Sequence, residues 1–486
     1  MSGTSAAVQL RTPDQRLAVR ITESALAAEG VMDLPGFHSW FARRRAVDVA
    51  EVARIPFDAL VGWGSEPGTG DLVHDSGGFF AVRGLSVEIP GAAVPSWTQP
   101  IISQPEIGIL GILVKEFDGV LHCLMQAKNE PGNHNGVQLS PTVQATRSNY
   151  TRVHRGNPVP YVEYFQDTAR HQVIADVLQS EQGAWFYHKR NRNIVVEVTE
   201  DVKLLDGFCW LTLGQLHGLL GGDDIVNMDS RTVLSCLPFS GADLATVFPL
   251  RPRSFGAAVI RSCSDEQGAL HTTGEILSWI TEAKARAVVR TRTVPLESVE
   301  HWHRTSHALS HETGKFFNVI GISVKAGHRE ITGWTQPVVE PVGVGINAFL
   351  VKRIDGVLHA LVNARIQPGH LDVVELAPTV QATPGNYAVL PAAARPRFLT
   401  EILEADPARI RYDSLLSEEG GRFYHARNRY LVIEADEAYE PEDAADFRWL
   451  TLHQLVGLLR HSHYVNVEAR SLIACAHSLV GRSDTA

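Results

Sequence analysis

The chain has 486 residues, of which 44% are apolar and 20% are charged, and its formal net charge is −10. Such a length and composition are typical of a globular protein with two or more domains, each large enough to bury a hydrophobic core. The negative balance disfavours nucleic acid and anionic membranes as the main partners, although it leaves room for a local basic pocket.

The sequence offers few signs of membrane insertion, secretion or disulfide bonding. No apolar run approaches the roughly 18–20 residues that a membrane span needs, and the N-terminus lacks the basic and apolar regions of a signal peptide. The five cysteines are widely spaced and form no CxxC pair, which argues against a disulfide framework or a structural zinc site. We therefore expect a reduced, cytoplasmic protein.

A long internal repeat dominates the sequence. The tetrapeptide Trp-Thr-Gln-Pro occurs at 97–100 and again at 334–337, an offset of 237 residues (334 − 97). A period of this length exceeds the roughly 20–50 residues of solenoid repeats and therefore indicates a duplicated domain. The expected segments are a leader at 1–36, a first repeat at 37–237, a linker at 238–270 and a second repeat at 271–486.

In each repeat a charged helical pattern comes first and strands follow. The helix is expected to begin at Ser39 in the first repeat and at Ser278 in the second, since serine is a favourable N-cap, and to stop before a proline. Apolar, alternating stretches then predict strands, and the Asp-Gly pairs at 118–119 and 355–356 predict tight hairpin turns. The predicted strands lie at 79–87, 108–115 and 120–127, and at 316–324, 342–352 and 357–364.

The second half of each repeat adds a helix, a strand and a final strand–helix unit. A helix is expected to end at Gly183 and at Gly420, because glycine commonly follows the last helical turn. Strands are predicted next, at 193–198 and 430–435, and a Trp-Leu-Thr-Leu element then leads into a helix. This mixture predicts an α+β fold, in which each repeat is a mixed sheet flanked by helices rather than a parallel doubly wound sheet.

Common cofactor and metal signatures are absent from the sequence. No glycine-rich dinucleotide fingerprint or phosphate loop follows a predicted strand. No HExxH motif or carboxylate-rich loop indicates a metal, and no GxSxG element marks a serine hydrolase. We therefore expect no cofactor and no metal.

The densest polar stretch follows the hairpin of the first repeat, at 126–146, and such loops on a rigid sheet commonly carry binding groups. Its Lys128 and Glu130 correspond to Arg365 and Gln367 in the second repeat. Arginine does not deprotonate usefully and glutamine is not a base, so we expect proton-transfer chemistry in the first repeat. The alternative is that Lys128 and Glu130 are solvated loop residues, which are common at protein surfaces.

A second cluster, Phe-Tyr-His-Lys-Arg-Asn-Arg-Asn at 186–193, recurs in part at 423–430. Its Arg190 and Arg192 would grip a diphosphate through forked, charge-assisted hydrogen bonds. Surface salt bridges and helix-dipole interactions are an equally good explanation. The tryptophans of the two Trp-Thr-Gln-Pro elements would stack on a nucleobase, or else lie in the core.

The polar stretch at 128–150, the Trp-Thr-Gln-Pro element and the cluster at 186–193 together resemble the NDP-hexose 2,3-dehydratases of deoxysugar pathways in antibiotic-producing bacteria, including vancosamine-type pathways. The resemblance extends over about 40–480 and includes the duplication. It implies a tandem of Nudix-like domains. An intact Nudix box is missing, and 181–183 or 418–420 would be its eroded end, which argues against metal-dependent diphosphate hydrolysis.

This resemblance implies dTDP-4-keto-6-deoxyglucose as the substrate, whose C4 ketone acidifies the C3 hydrogen. A base removes that proton, the C2 hydroxyl leaves, and the enol becomes a 3,4-diketo-2,6-dideoxy sugar. C3 is oxidised while C2 is reduced, so no external hydride is needed. On this basis Glu130 would be the C3 base, and Lys128 would stabilise the enolate at C4 or protonate the departing hydroxyl.

Further residues of the first repeat are expected to bind the substrate, and their counterparts to form a vestigial or regulatory pocket in the second repeat. The candidates for substrate binding are Trp97, Thr98, Gln99, Gln126, Asn133, Gln138, Ser140, Gln144, Tyr150, Tyr187, Arg190 and Arg192. The candidates for the second pocket are Trp334, Arg365, Glu375, Gln381, Tyr387, Tyr424, Arg427 and Arg429.

The resemblance also implies functional coupling to a downstream 3-ketoreductase, and a homodimer is expected because Nudix-like proteins often pair. Two other functions stay open at this point. A Nudix-type nucleotide-sugar pyrophosphohydrolase would release dTMP in the presence of Mg²⁺. A non-catalytic ligand-sensing module would bind at two comparable sites without turnover.

Overall fold

The computed structural model describes residues 16–150, 158–239, 254–326, 333–436, 439 and 444–480. Within them, each repeat is built around one seven-stranded mixed sheet, called here the first and the second large sheet. This confirms the predicted mixed sheets and α+β class, whereas the assignment to the Nudix fold stays a prediction. No helix in this part of the chain is both long and apolar enough to cross a membrane.

The two large sheets share one strand order, as a duplication predicts. The first contains Gln172–Ser180, Arg190–Glu197, Gly108–Phe117, Val120–Asn129 and Phe208–Thr212, with Val137–Ser140 and Val143–Ala145 as short additions. The second contains Ile410–Ser417, Arg427–Glu434, Gly345–Ile354, Val357–Ile366 and Phe447–Leu450, with Val374–Ala377 and Val380–Ala382. In each order the second and third strands run parallel, and the other neighbours are antiparallel.

Both predicted hairpins are confirmed. The third and fourth strands of the first large sheet pair antiparallel, and their turn has Asp118 at φ 49° and Gly119 at φ 82°. The second large sheet repeats this geometry, with Asp355 at φ 50° and Gly356 at φ 81°. Both turn residues are therefore left-handed, which suits the twist of an antiparallel pair and which Asp-Gly adopts readily.

Helices flank the sheets in both halves of the chain. The α-helices are Leu17–Leu26, Leu34–Val47, Arg147–Tyr150, Glu163–Gln166, Leu213–Leu220, Met228–Leu234, Phe255–Ser262, Thr273–Arg286, Leu399–Leu403, Leu452–Leu458 and Val467–His477. Short 3₁₀ helices lie at Phe57–Ala59, Thr168–Arg170, Leu296–Ser298, Pro384–Ala388, Ala392–Ala394 and Pro407–Arg409.

The expected leader and linker each contain a helix that is part of a repeat. In the leader, the buried Ser24 donates a hydrogen bond of 2.6 Å to the carbonyl of Leu121 in the first large sheet. In the linker, Ser262 donates one of 2.5 Å to the carbonyl of Leu358 in the second large sheet. In each half of the chain, a helix that precedes the expected start of the repeat therefore packs on the large sheet.

One helical prediction is wrong in both repeats. The segments before Gly183 and Gly420 are not helices but the strands Gln172–Ser180 and Ile410–Ser417, which form one edge of each large sheet. Their apolar residues recur at a spacing that a short helix also permits. Pairing with the neighbouring strand decides the conformation, because tertiary contacts outweigh a weak local propensity.

The boundaries of the first helix in each repeat also differ from the prediction. The N-caps are Asp33 and Thr272 rather than Ser39 and Ser278. The side chain of Asp33 accepts a hydrogen bond from the amide of Gly36, and Thr272 forms a capping box. Both helices end before the expected proline, and a strand occupies the rest of each predicted helical segment.

These two strands are exchanged between the repeats. Ala50–Ile55 of the first repeat pairs antiparallel with Phe317–Ala326 of the second, and Arg290–Val294 of the second pairs with Ala81–Glu88 of the first. The first small sheet comprises Phe186–Tyr187, Ser96–Ser103, Ala81–Glu88, Leu72–His74, Trp63–Ser65 and Arg290–Val294. The second small sheet comprises Ala50–Ile55, Phe317–Ala326, Ala308–His311, Trp302–Arg304 and Gly333–Pro341.

A buried arginine from each repeat joins the two halves. Arg231 and Arg470 are both 0% exposed. Nη2 of Arg231 donates to the carbonyl of Ser417 at 2.7 Å, and Nη2 of Arg470 donates to the carbonyl of Ser180 at 2.6 Å. The two repeats are thus held by equivalent, reciprocal contacts.

Glycines bring the loops of the two repeats into direct contact. The amide of Gly132 donates to the carbonyl of Gly420 at 2.7 Å, and the amide of Gly369 donates to the carbonyl of Gly183 at 2.9 Å. A Cβ atom on Gly132 would lie 1.7 Å from the carbonyl oxygen of Phe423, so only glycine fits there. The loop after the hairpin of one repeat therefore packs on the other repeat.

Candidate active site

A cavity of about 1020 Å³ opens between the first large sheet and the second small sheet. Four candidate residues from the polar stretch of the first repeat line it: Gln126, Lys128, Glu130 and Gln144. Residues of the strand Gly333–Pro341 and of the loop at 419–422 also line it, and both segments belong to the second repeat. Residues of both repeats therefore line the cavity. The polar stretch at 126–146 belongs to the first repeat.

Gln144 connects the two candidate catalytic residues. Its side-chain Nε2 donates to Oε1 of Glu130 at 2.8 Å, and its carbonyl accepts from Nζ of Lys128 at 2.8 Å. Its Oε1 accepts from Nδ2 of Asn227 at 3.0 Å, and Asn227 also caps the helix Met228–Leu234. Glu130 is only 6% exposed, so the structure contradicts the alternative that it is a solvated loop residue.

The further carboxyl groups that line the cavity include those of Glu181, Asp229 and Glu419. Burial raises the pKa of Glu181, and burial together with neighbouring carboxylates holds the pKa of Asp229 well above its ordinary value. Burial and the negative charge of Glu130 raise the pKa of Glu419 to about 7. A carboxyl group with such a pKa can donate a proton near neutral pH.

Two cations, the buried Lys189 and the half-buried Arg422, balance part of this negative charge. Lys189 donates from Nζ to the carbonyl of Glu106 at 2.5 Å, and burial lowers its pKa to about 8. Arg422 donates from Nη1 to the carbonyl of Gly421 at 2.9 Å, and its guanidinium lies 4.3 Å from the ring centre of Phe80. Both cations line the cavity, so it offers positive charge to an anionic ligand or a developing oxyanion.

The two repeated tryptophans lie differently relative to this cavity. Trp334, expected in a second pocket, lines the same cavity as Glu130. Trp97 is not among the residues that line this cavity, and the strand that carries it faces the second repeat, where the carbonyl of Thr98 accepts from Trp302 at 3.2 Å. The exchange of strands brings part of the second small sheet to this cavity, where residues of both small sheets line it.

Most of the other expected substrate-binding residues of the first repeat have structural partners outside the cavity lining. Arg192 forms a two-point ion pair with Asp176, at 2.7 and 2.6 Å, as the surface salt-bridge explanation requires. Gln138 accepts from Ser417 of the second repeat at 2.6 Å. The residues Trp97, Thr98, Gln99, Asn133, Gln138, Ser140, Tyr150, Tyr187, Arg190 and Arg192 do not line this cavity.

Apart from Trp334, the candidates for the second pocket form contacts with residues of one repeat or the other. Gln381 accepts from Asn466 at 2.8 Å, which matches the contact between Gln144 and Asn227. Burial raises the pKa of Tyr387, and the positive charge of the neighbouring Arg365 partly offsets this increase. Glu375 accepts from Ser180 at 2.6 Å, Arg427 pairs with Asp224 at 3.1 Å, Arg429 pairs with Asp413 at 2.6 Å, and Tyr424 stacks on His425.

The cavity lining contains many residues that are absent from the expected catalytic and substrate-binding sets, among them these five: Glu181, Asp229, Lys189, Glu419 and Arg422. Three of them come from the first repeat, but each lies far along the chain from the polar stretch. The other two come from the second repeat and reach this cavity only because the repeats pack crosswise. One signal was available in the sequence: Glu419 corresponds to a glutamine in the first repeat (419 − 237 = 182).

Comparison with known proteins gives concordant matches. A family model described as NDP-hexose 2,3-dehydratase matches residues 35–237 and 273–476. A dTDP-4-dehydro-6-deoxy-alpha-D-glucopyranose 2,3-dehydratase of Saccharopolyspora spinosa is 53% identical over 98% of this chain and 97% of its own length. Proteins of the same name from Amycolatopsis orientalis and Streptomyces violaceoruber are 51% and 47% identical, over 95% and 92% of this chain and 94% and 98% of their own lengths.

Proposed function

This chain belongs to the NDP-hexose 2,3-dehydratase family, and from that membership we propose that it dehydrates dTDP-4-keto-6-deoxyglucose, the 4-dehydro sugar in its relatives' names. The C4 ketone of this sugar acidifies the C3 hydrogen, and the C2 hydroxyl stands β to the ketone. Loss of the C3 proton and of the C2 hydroxyl gives an enol, which becomes the 3,4-diketo-2,6-dideoxy sugar. This chemistry makes the enzyme a carbon–oxygen lyase.

Glu130 is the base that removes the C3 proton. Three observations support this role: it lines the cavity, it is almost fully buried, and its carboxylate is oriented by Gln144. Its counterpart in the second repeat, Gln367, cannot accept the proton. A positioned general base typically contributes about 10²–10⁴-fold to the rate.

Lys128 stabilises the negative charge that develops on the C4 oxygen. Its ammonium group lines the same cavity, two residues from Glu130, and a hydrogen bond to the carbonyl of Gln144 orients it. A fixed charge of this kind acts where the oxyanion forms and needs no reorganisation during the reaction. Gln126 and Gln144 contribute amide groups that position the hexose in the same cavity.

Trp334 provides the aromatic surface for the nucleobase. It lies on the wall that the second repeat contributes, and its indole Nε1 donates to Oε1 of Gln336 at 3.0 Å, which fixes the ring. Lys189 and Arg422 supply positive charge for the diphosphate. The substrate then spans both repeats, with its sugar at the first and its base against the second.

The proposal also covers the fold, the oligomeric state, the location and the pathway of the protein. Each repeat is a Nudix-like domain, and the protein works as a cytoplasmic homodimer in a deoxysugar pathway of antibiotic biosynthesis. Its diketo product is reactive, so a 3-ketoreductase consumes it downstream. The identity of about half the residues to three 2,3-dehydratases over nearly the whole chain carries the proposal.

The test is to incubate purified, metal-stripped protein with dTDP-4-keto-6-deoxyglucose in D₂O and to follow C2 and C3 by NMR. Loss of the C2 hydroxyl with solvent deuterium appearing at C2 is the expected result. An unchanged sugar, with dTMP released only after Mg²⁺ is restored, would instead identify a pyrophosphohydrolase. Saturable binding without change under either condition would identify a sensing module.

A further inference from the structure

Two carboxyl groups from different repeats, those of the buried Glu130 and the half-buried Glu419, border the same point of the cavity wall. Glu130 belongs to the loop after the first hairpin, and Glu419 belongs to the second repeat. A Cβ atom on Gly421 would lie 2.3 Å from Oε1 of Glu419 and 3.6 Å from Oε1 of Glu130. The hydrogen bond from Gly132 to Gly420 fixes the two loops against each other. The two carboxyl groups are therefore held close together.

The equivalent place between the repeats carries two amides instead. Glu130 corresponds to Gln367 and Glu419 to Gln182, each at the offset of 237 residues. Gln367 packs against Gly183, the residue after Gln182, since a Cβ atom on Gly183 would lie 2.9 Å from Cβ of Gln367, and Gln182 itself donates from Nε2 to Oε2 of Glu418 at 2.9 Å. Glutamate and glutamine have nearly the same shape, so packing alone does not require a glutamate at 130 and at 419. Proton transfer does, because an amide is neither an acid nor a base in this range.

One oxygen of Glu419 is available to a ligand. Its Oε1 accepts a hydrogen bond from the amide of Gly421 at 3.0 Å. Its Oε2 is buried and has no hydrogen-bond partner among the residues that the structure describes. A buried polar atom without a partner is costly, and such atoms cluster at functional sites. Since Glu419 lines the cavity, a bound hydroxyl group would satisfy this oxygen.

The charges around Glu419 favour its protonated form. Glu130 and Glu181 of the first repeat and Asp229 of the helix Met228–Leu234 oppose its ionisation, whereas Arg422 and Lys189 favour it. Burial is the largest cause and adds to the effect of the carboxylates, so the pKa of Glu419 rises to about 7. Glu419 therefore holds a proton over much of the neutral range while it faces a base, an arrangement that separates an acid from a base in one site.

We propose that Glu419, supplied by the second repeat, is the general acid that protonates the departing C2 hydroxyl. This inference rests on the proposed dehydration. The C3 proton passes to Glu130, the C2–O bond breaks, and the proton of Glu419 leaves with the hydroxyl as water. Ketonisation then restores both groups: the enol proton at the C3 oxygen passes to Glu419, and the proton on Glu130, after exchange with solvent, passes to C2. The cycle releases one water and needs no other reactant.

The decisive test separates proton abstraction from elimination. Wild-type enzyme, Glu419→Gln and Glu130→Gln are each incubated with dTDP-4-keto-6-deoxyglucose in D₂O. We expect Glu419→Gln to lower kcat for dehydration by at least about 10²-fold, yet to exchange the C3 proton of unreacted substrate for deuterium. Glu130→Gln should lose both exchange and elimination. Glu468→Gln, which removes another buried carboxyl group whose pKa is raised to about 8, is the matched control and should remain near wild type.

The pH dependence of the wild-type enzyme provides a test that needs no variant. Since Glu419 must be protonated, kcat for dehydration should fall as the pH rises through about 7, while C3 exchange, which does not need the proton of Glu419, should continue. Glu419→Asp should keep this dependence with a reduced kcat. Dehydration by Glu419→Gln at more than about one tenth of the wild-type rate would overturn the inference. So would a loss of elimination and exchange in equal measure. A wild-type enzyme that does not dehydrate the sugar would instead refute the proposed function.

Discussion

The side-chain amide of Gln144 donates a hydrogen bond of 2.8 Å to the carboxylate of Glu130. The same residue accepts a hydrogen bond from Lys128 through its carbonyl group. Asn227, the cap of a neighbouring helix, in turn holds the amide oxygen of Gln144. One short strand of the large sheet thus sets the positions of both Glu130, the proposed base, and Lys128, the proposed oxyanion-stabilising group.

Replacement of Gln144 by methionine should disturb this arrangement without removing a catalytic group. The thioether cannot donate to Glu130, so the carboxylate loses its orientation, and a displacement of about 1 Å costs up to about 10²-fold in rate. We expect kcat to fall by about 10-fold, with a smaller change in KM, in steady-state assays of dehydration. Gln381→Met removes the equivalent contact with Asn466 in the second repeat and should leave kcat unchanged. Equal losses in both variants would contradict this explanation.

Replacement of Glu130 by glutamine should abolish proton abstraction while the nucleotide sugar still binds. The side chain keeps its size, and we expect kcat to fall by at least about 10²-fold. Calorimetric titration with dTDP-glucose should give a dissociation constant close to that of the wild type. Gln367→Met, at the equivalent position in the second repeat, should retain wild-type turnover. Near-normal turnover by Glu130→Gln would remove this residue from its role.

The two tryptophans should differ in their effect on substrate binding. Trp334 lines the cavity with Glu130, whereas Trp97 does not line it. Loss of aromatic stacking costs about 1–3 kcal/mol per base, so Trp334→Ala should raise KM for the nucleotide sugar by about 10-fold or more. Trp97→Ala should leave KM near the wild-type value. A larger effect of Trp97→Ala would mean that the base binds within its own repeat.

Much of the fold was readable from local sequence signals. The offset between the Trp-Thr-Gln-Pro elements indicated the duplication, and the Asp-Gly pairs at 118–119 and 355–356 identified both hairpins. The strand Gln172–Ser180 was mistaken for a helix, because its apolar residues suit either structure until a pairing partner is known. Local patterns therefore predicted turns and central strands better than the edges of the sheets.

The site was predictable only in part, for a different reason. Lys128, Glu130 and Gln144 lie within one short stretch of the first repeat, so the sequence grouped them and the structure places them in one cavity. Trp334 and Glu419 reach that cavity from the second repeat. Comparison of equivalent positions assigns each residue to its own repeat, and nothing in such a comparison shows that the repeats exchange strands and share a site.

The buried arginines should contribute strongly to stability because they satisfy groups in the other repeat. Arg470 is 0% exposed, donates to the carbonyls of Val465 and Ser180, and lies near buried carboxyl groups. Removal of one partner from a buried charged network typically costs about 3–5 kcal/mol. Arg470→Met should therefore lower the free energy of unfolding by about that amount in urea denaturation.

The surface ion pair of Arg192 provides the comparison for Arg470. Arg192 pairs with Asp176, which is itself about one third exposed, and an ion pair of this kind contributes about 0–1 kcal/mol. Arg192→Met should consequently shift the urea midpoint only slightly. High salt should weaken the Arg192 pair further and leave the contribution of Arg470 almost unchanged, since buried charges are screened less. If Arg470→Met and Arg192→Met lowered the free energy of unfolding equally, the buried contacts of Arg470 would not explain how the two repeats are held together.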